Sequence, residues 1–404
     1  DLHVEFEPVT DGYKSVWLLG KASEVRRGII TFLLALLPFF SKAQTQWHDN
    51  LSDQTQISVL TASPGEDIYS LFGHTAIRVY DPLNLPESDW VFNYGTFSFN
   101  DGFYFKFVKG RLDYKLTAEP YHHFYRVYHQ SERGIKSQTL NLNPQQVKAV
   151  AKYLEWNAKP ENATYSYEFF RNNCASRIIT VLEEALGDDL ELNCQSDGRT
   201  YRDGLKPYIA CTPWTEFGMD FILGPEADKV MEGCAAVYIP DELYLALERM
   251  EIDSEPLVKY SEELIISPKS WMNAESYVIA KFKSPELFFF LFFLLVALLR
   301  YLVGECNLIT KIVVKTTQIV VVFLGVLLLV MWLFTDHIDT WGNWNLIWTI
   351  PMLSTLINRK SLTLSYIALV GYLIVGPFIW PQLVTLSLWL LAITVFLTIT
   401  PKTK

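Results

Sequence analysis

The chain has 404 residues, more than one ordinary domain uses, and its 44 acidic side chains outnumber 34 basic ones to give a formal charge of −10. That surplus argues against a nucleic-acid partner, and the five cysteines show no Cys-x-x-Cys or His-rich spacing of a zinc site. Apolar residues are spread unevenly: the sequence reads as soluble up to about Leu287 and is dominated by apolar runs from there on.

In chain order, Arg26-Arg27 precede an apolar run from Gly28 to Phe40, and Ser41-Lys42-Ala43 supply small residues for a cleavage site. A basic stretch, a short apolar core and an Ala-x-Ala-like end describe a secretory signal, so residues 1–43 are expected to be an N-terminal extension and signal peptide. The 13 apolar residues fall short of the ~20 that span a bilayer. Residues 44–285 then form an exported domain. Should Cys174 be a working thiol, two of Cys194, Cys211 and Cys234 are free to pair in an oxidising compartment, and spacing leaves open which two.

The exported stretch gives an α+β pattern. Gln56–Ala62 has strand character, Thr75–Tyr80 alternates as a half-buried strand, and Trp90–Phe99 answers it across a turn with two prolines. Gly110–Ala118 and Gly134–Leu142 add strands. Asn143-Pro144 opens a helix to about Asn157, with Val147, Val150 and Leu154 on one face. A second helix runs from about Cys174 to Leu186, burying Ile178, Leu182, Ala185 and Leu186 and stopping at Gly187. Residues 286–404 hold five apolar segments, roughly 287–304, 317–334, 345–357, 362–379 and 383–399, the third interrupted by Pro351. With the soluble domain exported, five spans put Arg300, Lys311, Lys315, Arg359, Lys360, Lys402 and Lys404 on the cytoplasmic side, and leave the opposite loops, with Trp341, Trp344 and Trp380, free of Lys and Arg. An α-helical membrane bundle with a cytoplasmic C-terminus is expected.

Chemistry is carried by Cys174 and His74. Cys174 follows two asparagines at a helix start, where an Asn cap, the helix dipole and unpaired N–H groups favour a thiolate and can hold an oxyanion. His74 enters a strand after Gly73; alternation sets His74, Ala76 and Arg78 on the more open face and Thr75, Ile77 and Val79 towards the core. A histidine so placed can take a thiol proton and later return it to a leaving group. If Asp81 lies opposite Trp90, Thr96 to Ser98 lies opposite His74 and Asn93 nearer Arg78, and the third group that orients the imidazole stays open. Arg78 is a candidate for holding a substrate phosphate, with a structural ion pair as its alternative. Glu66, Tyr165, Tyr167 and Asp220 read as buried scaffold, and His122, His123 and His129 as exposed or strand-edge residues.

The order His-on-strand then Cys-on-helix resembles the circularly permuted papain-like superfamily, which includes lecithin:retinol acyltransferase and relatives of cell-wall peptidases. More specifically, Pro64-Gly65, the run Ile68–Val79, Phe92-Asn93-Tyr94-Gly95-Thr96-Phe97, Asn172-Asn173-Cys174-Ala175 and Phe217-Gly218-Met219-Asp220, followed by several spans, resemble the Bacteroides-type lipoprotein N-acyltransferases over about residues 55–400. The resemblance implies an enzyme of the bacterial inner membrane with its catalytic domain in the periplasm. It implies transfer of a fatty acyl chain from a phospholipid to the α-amine of a diacylglyceryl-cysteine lipoprotein, through a Cys174 thioester and without metal or cofactor. The competing readings are a membrane-tethered cysteine amidase or endopeptidase acting on cell-wall peptide, and a non-catalytic membrane scaffold.

Overall fold

The computed structural model describes residues 47–85, 88–97, 106, 109–111, 113–267, 279–354, 362–379 and 382–399. The signal-peptide segment, Ser98, Phe99, Arg359, Lys360, Trp380, Lys402 and Lys404 lie outside the described residues.

The soluble part is α+β, built on a seven-stranded antiparallel sheet beside a small three-stranded one. The strands of the larger sheet are β1 (Gln56–Ala62), β2 (His74–Tyr80), β3 (Asp89–Thr96), β4 (Asp113–Pro120), β5 (Ile135–Leu140), β6 (Thr164–Ser166) and β7 (Val258–Ile265), in the order β7-β5-β1-β2-β3-β4-β6. β1 pairs with β2 from Gln56↔Tyr80 to Ala62↔His74. Gly73, at φ +81°, turns the chain into His74, and a Cβ there would sit 2.7 Å from the Ala62 carbonyl oxygen. Glycine is the residue that fits both demands.

Between β2 and β3 the register is Tyr80↔Asp89, Val79↔Trp90, Ala76↔Asn93, two residues away from the register expected from sequence. Asp81 lies opposite Ser88 and not Trp90, its N–H donating to Ser88 O at 2.8 Å. It is fully buried and closes the turn, its carboxylate accepting from Ser52 N (2.8 Å), Ser52 Oγ (2.7 Å), Leu83 N (3.0 Å) and Asn84 Nδ2 (2.7 Å). An even shift preserves which face each side chain takes, and it moves Asn93 towards His74.

One face of the sheet, with Ile57, Val59, Ile77, Val79, Phe92 and Tyr94, is covered by two helices, α2 (Pro144–Asn157) and α3 (Cys174–Leu186). The α2 and α3 boundaries follow their caps. Asn143 accepts from the N–H groups of Gln145 and Gln146, and Gly187, at φ +59°, ends α3. The opposite face is not open. The helix between β4 and β5, Tyr121–Gln130 and here called αN, lies on it, packing Phe124 and Tyr128 against Leu60, Ala76, Val91 and Ile135. Its aromatic and His-rich sequence lacks an aliphatic period, so His122, His123 and His129 fall on a helix and not at a strand edge. Cys194 and Cys234 form the disulfide, leaving Cys211 as a free thiol.

Two further helices, α4 (Tyr201–Ile209) and α5 (Pro213–Ile222), lie at the junction with the apolar C-terminal part. There, α7 (Pro285–Leu298) and α8 (Leu308–Phe334) belong to the two described helices long and apolar enough to cross a membrane, Ile279–Val303 and Leu308–Phe334. The described part of the 345–357 segment is a single turn, Leu346–Thr349, running into Pro351. Shorter apolar helices, α9 (Leu362–Ile374) and α10 (Leu386–Ile399), pack beside them; at ~1.5 Å per residue a helix of that length reaches only about two thirds of a ~30 Å hydrocarbon core.

The two parts are held together by the loop after α8. Asn343 Nδ2 donates to the carbonyls of Phe221 and Ile222, both at 2.8 Å, and Gln382 Nε2 donates to that of Leu223 at 3.1 Å. These bonds satisfy the orphan carbonyls at the end of α5. Gly224 donates its N–H to Asp339 O at 2.8 Å, and a Cβ on it would lie 2.3 Å from the Trp341 carbonyl oxygen. Asp336 binds Arg111 and Asp339 binds Arg171, so neither is a free acid at the membrane edge.

Candidate active site

Cys174 is the first residue of α3. Asn173 caps the helix with a side-chain oxygen that accepts from Ala175 N (2.9 Å) and Ser176 N (3.0 Å). Its Nδ2 donates to Phe169 O (2.9 Å) and Tyr238 O (2.7 Å), which locks the cap in place. The cap consumes two of the helix's first N–H groups, leaving the N–H of Cys174 itself as the first amide beyond its reach. The thiol thus stands at the positive end of a 13-residue helix.

His74 and Cys174, 100 residues apart in sequence, are brought close enough for each to shift the other's proton affinity. The other side of the imidazole is held by Asn93, with His74 Nε2 3.1 Å from Asn93 Oδ1. Burial disfavours charge on both members of the pair, but their mutual attraction overcomes it. Against burial, the Cys174 charge and hydrogen bond, and then Asn93, raise His74 above its ordinary value. Cys174 is held below the ordinary thiol value, again against burial, by the His74 charge and hydrogen bond and by the Thr75 N–H. The arrangement favours a thiolate–imidazolium pair.

Tyrosines wall the nucleophile. Tyr167, pushed up by burial, and Tyr165, pushed up by burial with the Cys174 charge as its next cause, both stay protonated. Tyr165 is only 8 % exposed, and its hydroxyl has no hydrogen-bond partner among the described residues. That hydroxyl and Cys174 face one glycine: a Cβ on Gly95 would lie 3.8 Å from Cys174 Cβ and 3.9 Å from the Tyr165 hydroxyl. Gly95 has φ +92° and sits where the β3–β4 register slips between Asn93 and Thr96. The bulge and the missing side chain bring thiol and phenol to the same point of the β3 backbone.

The other sequence candidates fall elsewhere. Arg78 does not join the pair: its guanidinium is bidentate to Asp89 (Nε–Oδ1 2.7 Å, Nη2–Oδ2 2.9 Å) and lies 3.5 Å from the Tyr121 ring centroid. It pins αN to the sheet, so its phosphate-holding role gives way to the structural ion pair. Asp220 is bound to Arg202, while Glu66, His122 and His129 are exposed. Asn93 is the residue sequence reasoning left unassigned; its signal was a polar side chain between Phe92 and Tyr94 in mid-strand, and 6 % exposure confirms its burial.

The pair makes a prediction that needs no substrate. Alkylation of Cys174 by iodoacetamide requires the thiolate. With a depressed thiol pKa, reactivity persists below the ordinary thiol range near ~8.5 and is lost as pH falls through that depressed value. His74→Ala is expected to move the pH–rate profile of the Cys174 peptide, read by mass spectrometry, back up towards an ordinary thiol.

Residues 43–207 match the family model described as the Lnb N-terminal periplasmic domain. His74, Asn93 and Cys174 lie inside that match, and both long apolar helices lie outside it. No curated protein and no solved structure matches the chain. The residues that match this model thus precede the apolar helices in one chain.

Proposed function

We propose that the protein is a cysteine-dependent lipoprotein N-acyltransferase, moving a fatty acyl chain from a phospholipid to the α-amine of a diacylglyceryl-cysteine lipoprotein. The observation that carries this reading is the juxtaposition of His74 and Cys174, with the imidazole held by Asn93, in a domain that matches the Lnb periplasmic model and is bonded through α5 to apolar helices. The geometry suits acyl transfer, and the lipid end of the reading rests on the apolar helices and on the sequence resemblance given above. The fold belongs to the same reading: a circularly permuted papain-like domain at the periplasmic face of the inner membrane, with the C-terminus in the cytoplasm.

The reaction proceeds in two halves. The Cys174 thiolate attacks a phospholipid ester carbonyl; as the C–O bond breaks, the His74 imidazolium gives its proton to the departing alkoxide, and a thioester and a lysophospholipid result. The neutral amine of the acceptor then attacks the thioester carbonyl. His74 takes the amine's proton, the C–S bond breaks, and the thiolate returns with a new amide as product. Each half passes through an oxyanion. The Cys174 N–H and the Tyr165 hydroxyl are the donors available to it.

Tyr165→Phe separates this role from packing. It removes one donor, so acyl transfer is expected to fall by about 10²-fold. Because the hydroxyl is buried and unpartnered, thermal stability is expected to stay level or rise. The whole reading is tested by supplying purified protein with a labelled phospholipid and a synthetic diacylated lipopeptide. Label is expected to appear as an amide on the lipopeptide amine. Hydrolysis of cell-wall peptide without lipid transfer would favour an amidase instead.

A further inference from the structure

The orientation of Asn93 has a cause further out. Asn93 Nδ2 donates to Glu119 Oε1 at 2.9 Å, and the second carboxylate oxygen of Glu119 is hydrogen-bonded to His123 Nδ1. Glu119 is the penultimate residue of β4, and His123 lies one turn into αN. Thr117 is the direct cross-strand partner of Asn93, so Glu119 reaches it diagonally. A chain of polar groups therefore runs His74–Asn93–Glu119–His123, from the half-buried imidazole to a histidine whose side chain is 41 % exposed.

We propose that Glu119 is a positioning residue that sets the tautomer of His74 through Asn93. An amide side chain is nearly symmetric in shape and has two senses, differing in which end faces the imidazole. A carboxylate can only accept, so Glu119 requires the NH₂ end of Asn93 and turns the oxygen towards His74. An oxygen facing Nε2 keeps a proton on that nitrogen. Nδ1 is then left as the nitrogen that exchanges a proton with Cys174. With the amide reversed, Nε2 would become the acceptor, Nδ1 would carry the fixed proton, and the base would be lost. The same network ties β3, β4 and αN together at the back of the site, while Arg133, bonded to the Ser63 carbonyl at 2.8 Å, and Tyr128 flank the imidazole and the thiol without entering the chain.

The inference rests on His74 and Cys174 acting as a base–thiol pair, and its test uses neither lipid nor acceptor, so it fails separately from the acyltransferase reading. In Cys174→Ser protein at pH 8, where no thiolate holds a second proton on the ring, ¹⁵N NMR of selectively labelled histidine reports the His74 tautomer. The Nε2-protonated form is expected with Glu119 in place, a mixture of tautomers in Glu119→Ala, and the Nε2-protonated form again in Glu119→Gln, whose amide oxygen can face Asn93. In protein with Cys174 intact, iodoacetamide alkylation at pH 7 is expected to slow about 10-fold in Glu119→Ala, by analogy with the outer-shell partners of metal-ligating histidines, and by less than about 2-fold in Glu119→Gln. The double variant Asn93→Asp, Glu119→Ala guards against simple misfolding: a carboxylate at position 93 cannot present a donor, so it should restore the Nε2-protonated form that Glu119→Ala loses. A His74 protonated on Nδ1 in the parent, or a tautomer and alkylation rate unchanged in Glu119→Ala, would overturn the proposal.

Discussion

Cys174→Ala is expected to abolish acyl transfer, and His74→Ala to reduce kcat by about 10³-fold, within the 10²–10⁴ that a general base supplies. Alanine at 174 removes the only atom that can carry the acyl group, so no thioester forms. Loss of His74 leaves both the helix terminus and the Asn173 cap intact, and the thiol still feels the dipole. What disappears is the proton acceptor for the incoming amine and the opposite charge that stabilises the thiolate. The effects should not add: the double variant is expected to be no slower than Cys174→Ala, because the two residues act as one unit. Each change also leaves a polar neighbour without its partner, the His74 ring nitrogen in Cys174→Ala and the Asn93 oxygen in His74→Ala, so a stability loss of about 1–3 kcal/mol is expected in thermal unfolding, separate from the loss of activity.

The largest stability effect is expected at Arg202. Its guanidinium is 2 % exposed and binds Asp220 (3.0 Å), both carboxylate oxygens of Asp228 (2.8 and 3.0 Å) and the Leu223 carbonyl (3.2 Å). Asp228 also accepts from the Leu383 N–H at 3.1 Å, and Gln382 shares the Leu223 carbonyl, so the cluster touches soluble and apolar parts at once. Arg202→Ala strands two carboxylates, and breaking a buried pair in this way costs about 3–5 kcal/mol. The pH dependence has a definite sign. Burial already raises Asp220 above the ordinary carboxylate range, with Arg202 as the opposing pull. Without Arg202 the folded state holds its protons more tightly than the unfolded chain. Stability then falls as pH rises from the unfolded carboxylate value through the raised folded one. Thermal unfolding in detergent is expected to show a large deficit at pH 7 that narrows towards pH 5.

Local signals read well from sequence where a chemical rule acts within a few residues. The Asn143-Pro144 start of α2, the Asn173-Cys174 start of α3, the Gly187 stop and the β1 bounds all follow from capping and alternation. Long-range geometry did not follow. Cys194 and Cys234 pair across 40 residues because the chain between them folds into α4 and α5, which spacing cannot reveal. The β2–β3 register depended on Asp81 serving as the hub of a turn, with Ser52 29 residues earlier as a partner. That single contact decides whether Asn93 or Thr96–Ser98 meets His74. The helix over Tyr121–Gln130 was illegible for another reason: its buried face is two aromatics, Phe124 and Tyr128, amid polar residues, and the sheet beneath supplies the stability that its own pattern lacks. Arg78 illustrates the same limit: a structural ion pair was legible as its alternative role, but neither its partner Asp89 nor the helix that closes over both.

The central claim, that Cys174 carries an acyl group taken from lipid, is tested most directly by mass spectrometry of the Cys174 peptide after incubation with a phospholipid of defined chains. The account predicts a mass increase equal to one of those acyl chains, cleaved by hydroxylamine, discharged on addition of a diacylated lipopeptide, and missing in Cys174→Ala. Lipid turnover with Cys174 unmodified, or an acyl adduct that persists in Cys174→Ala, would contradict it.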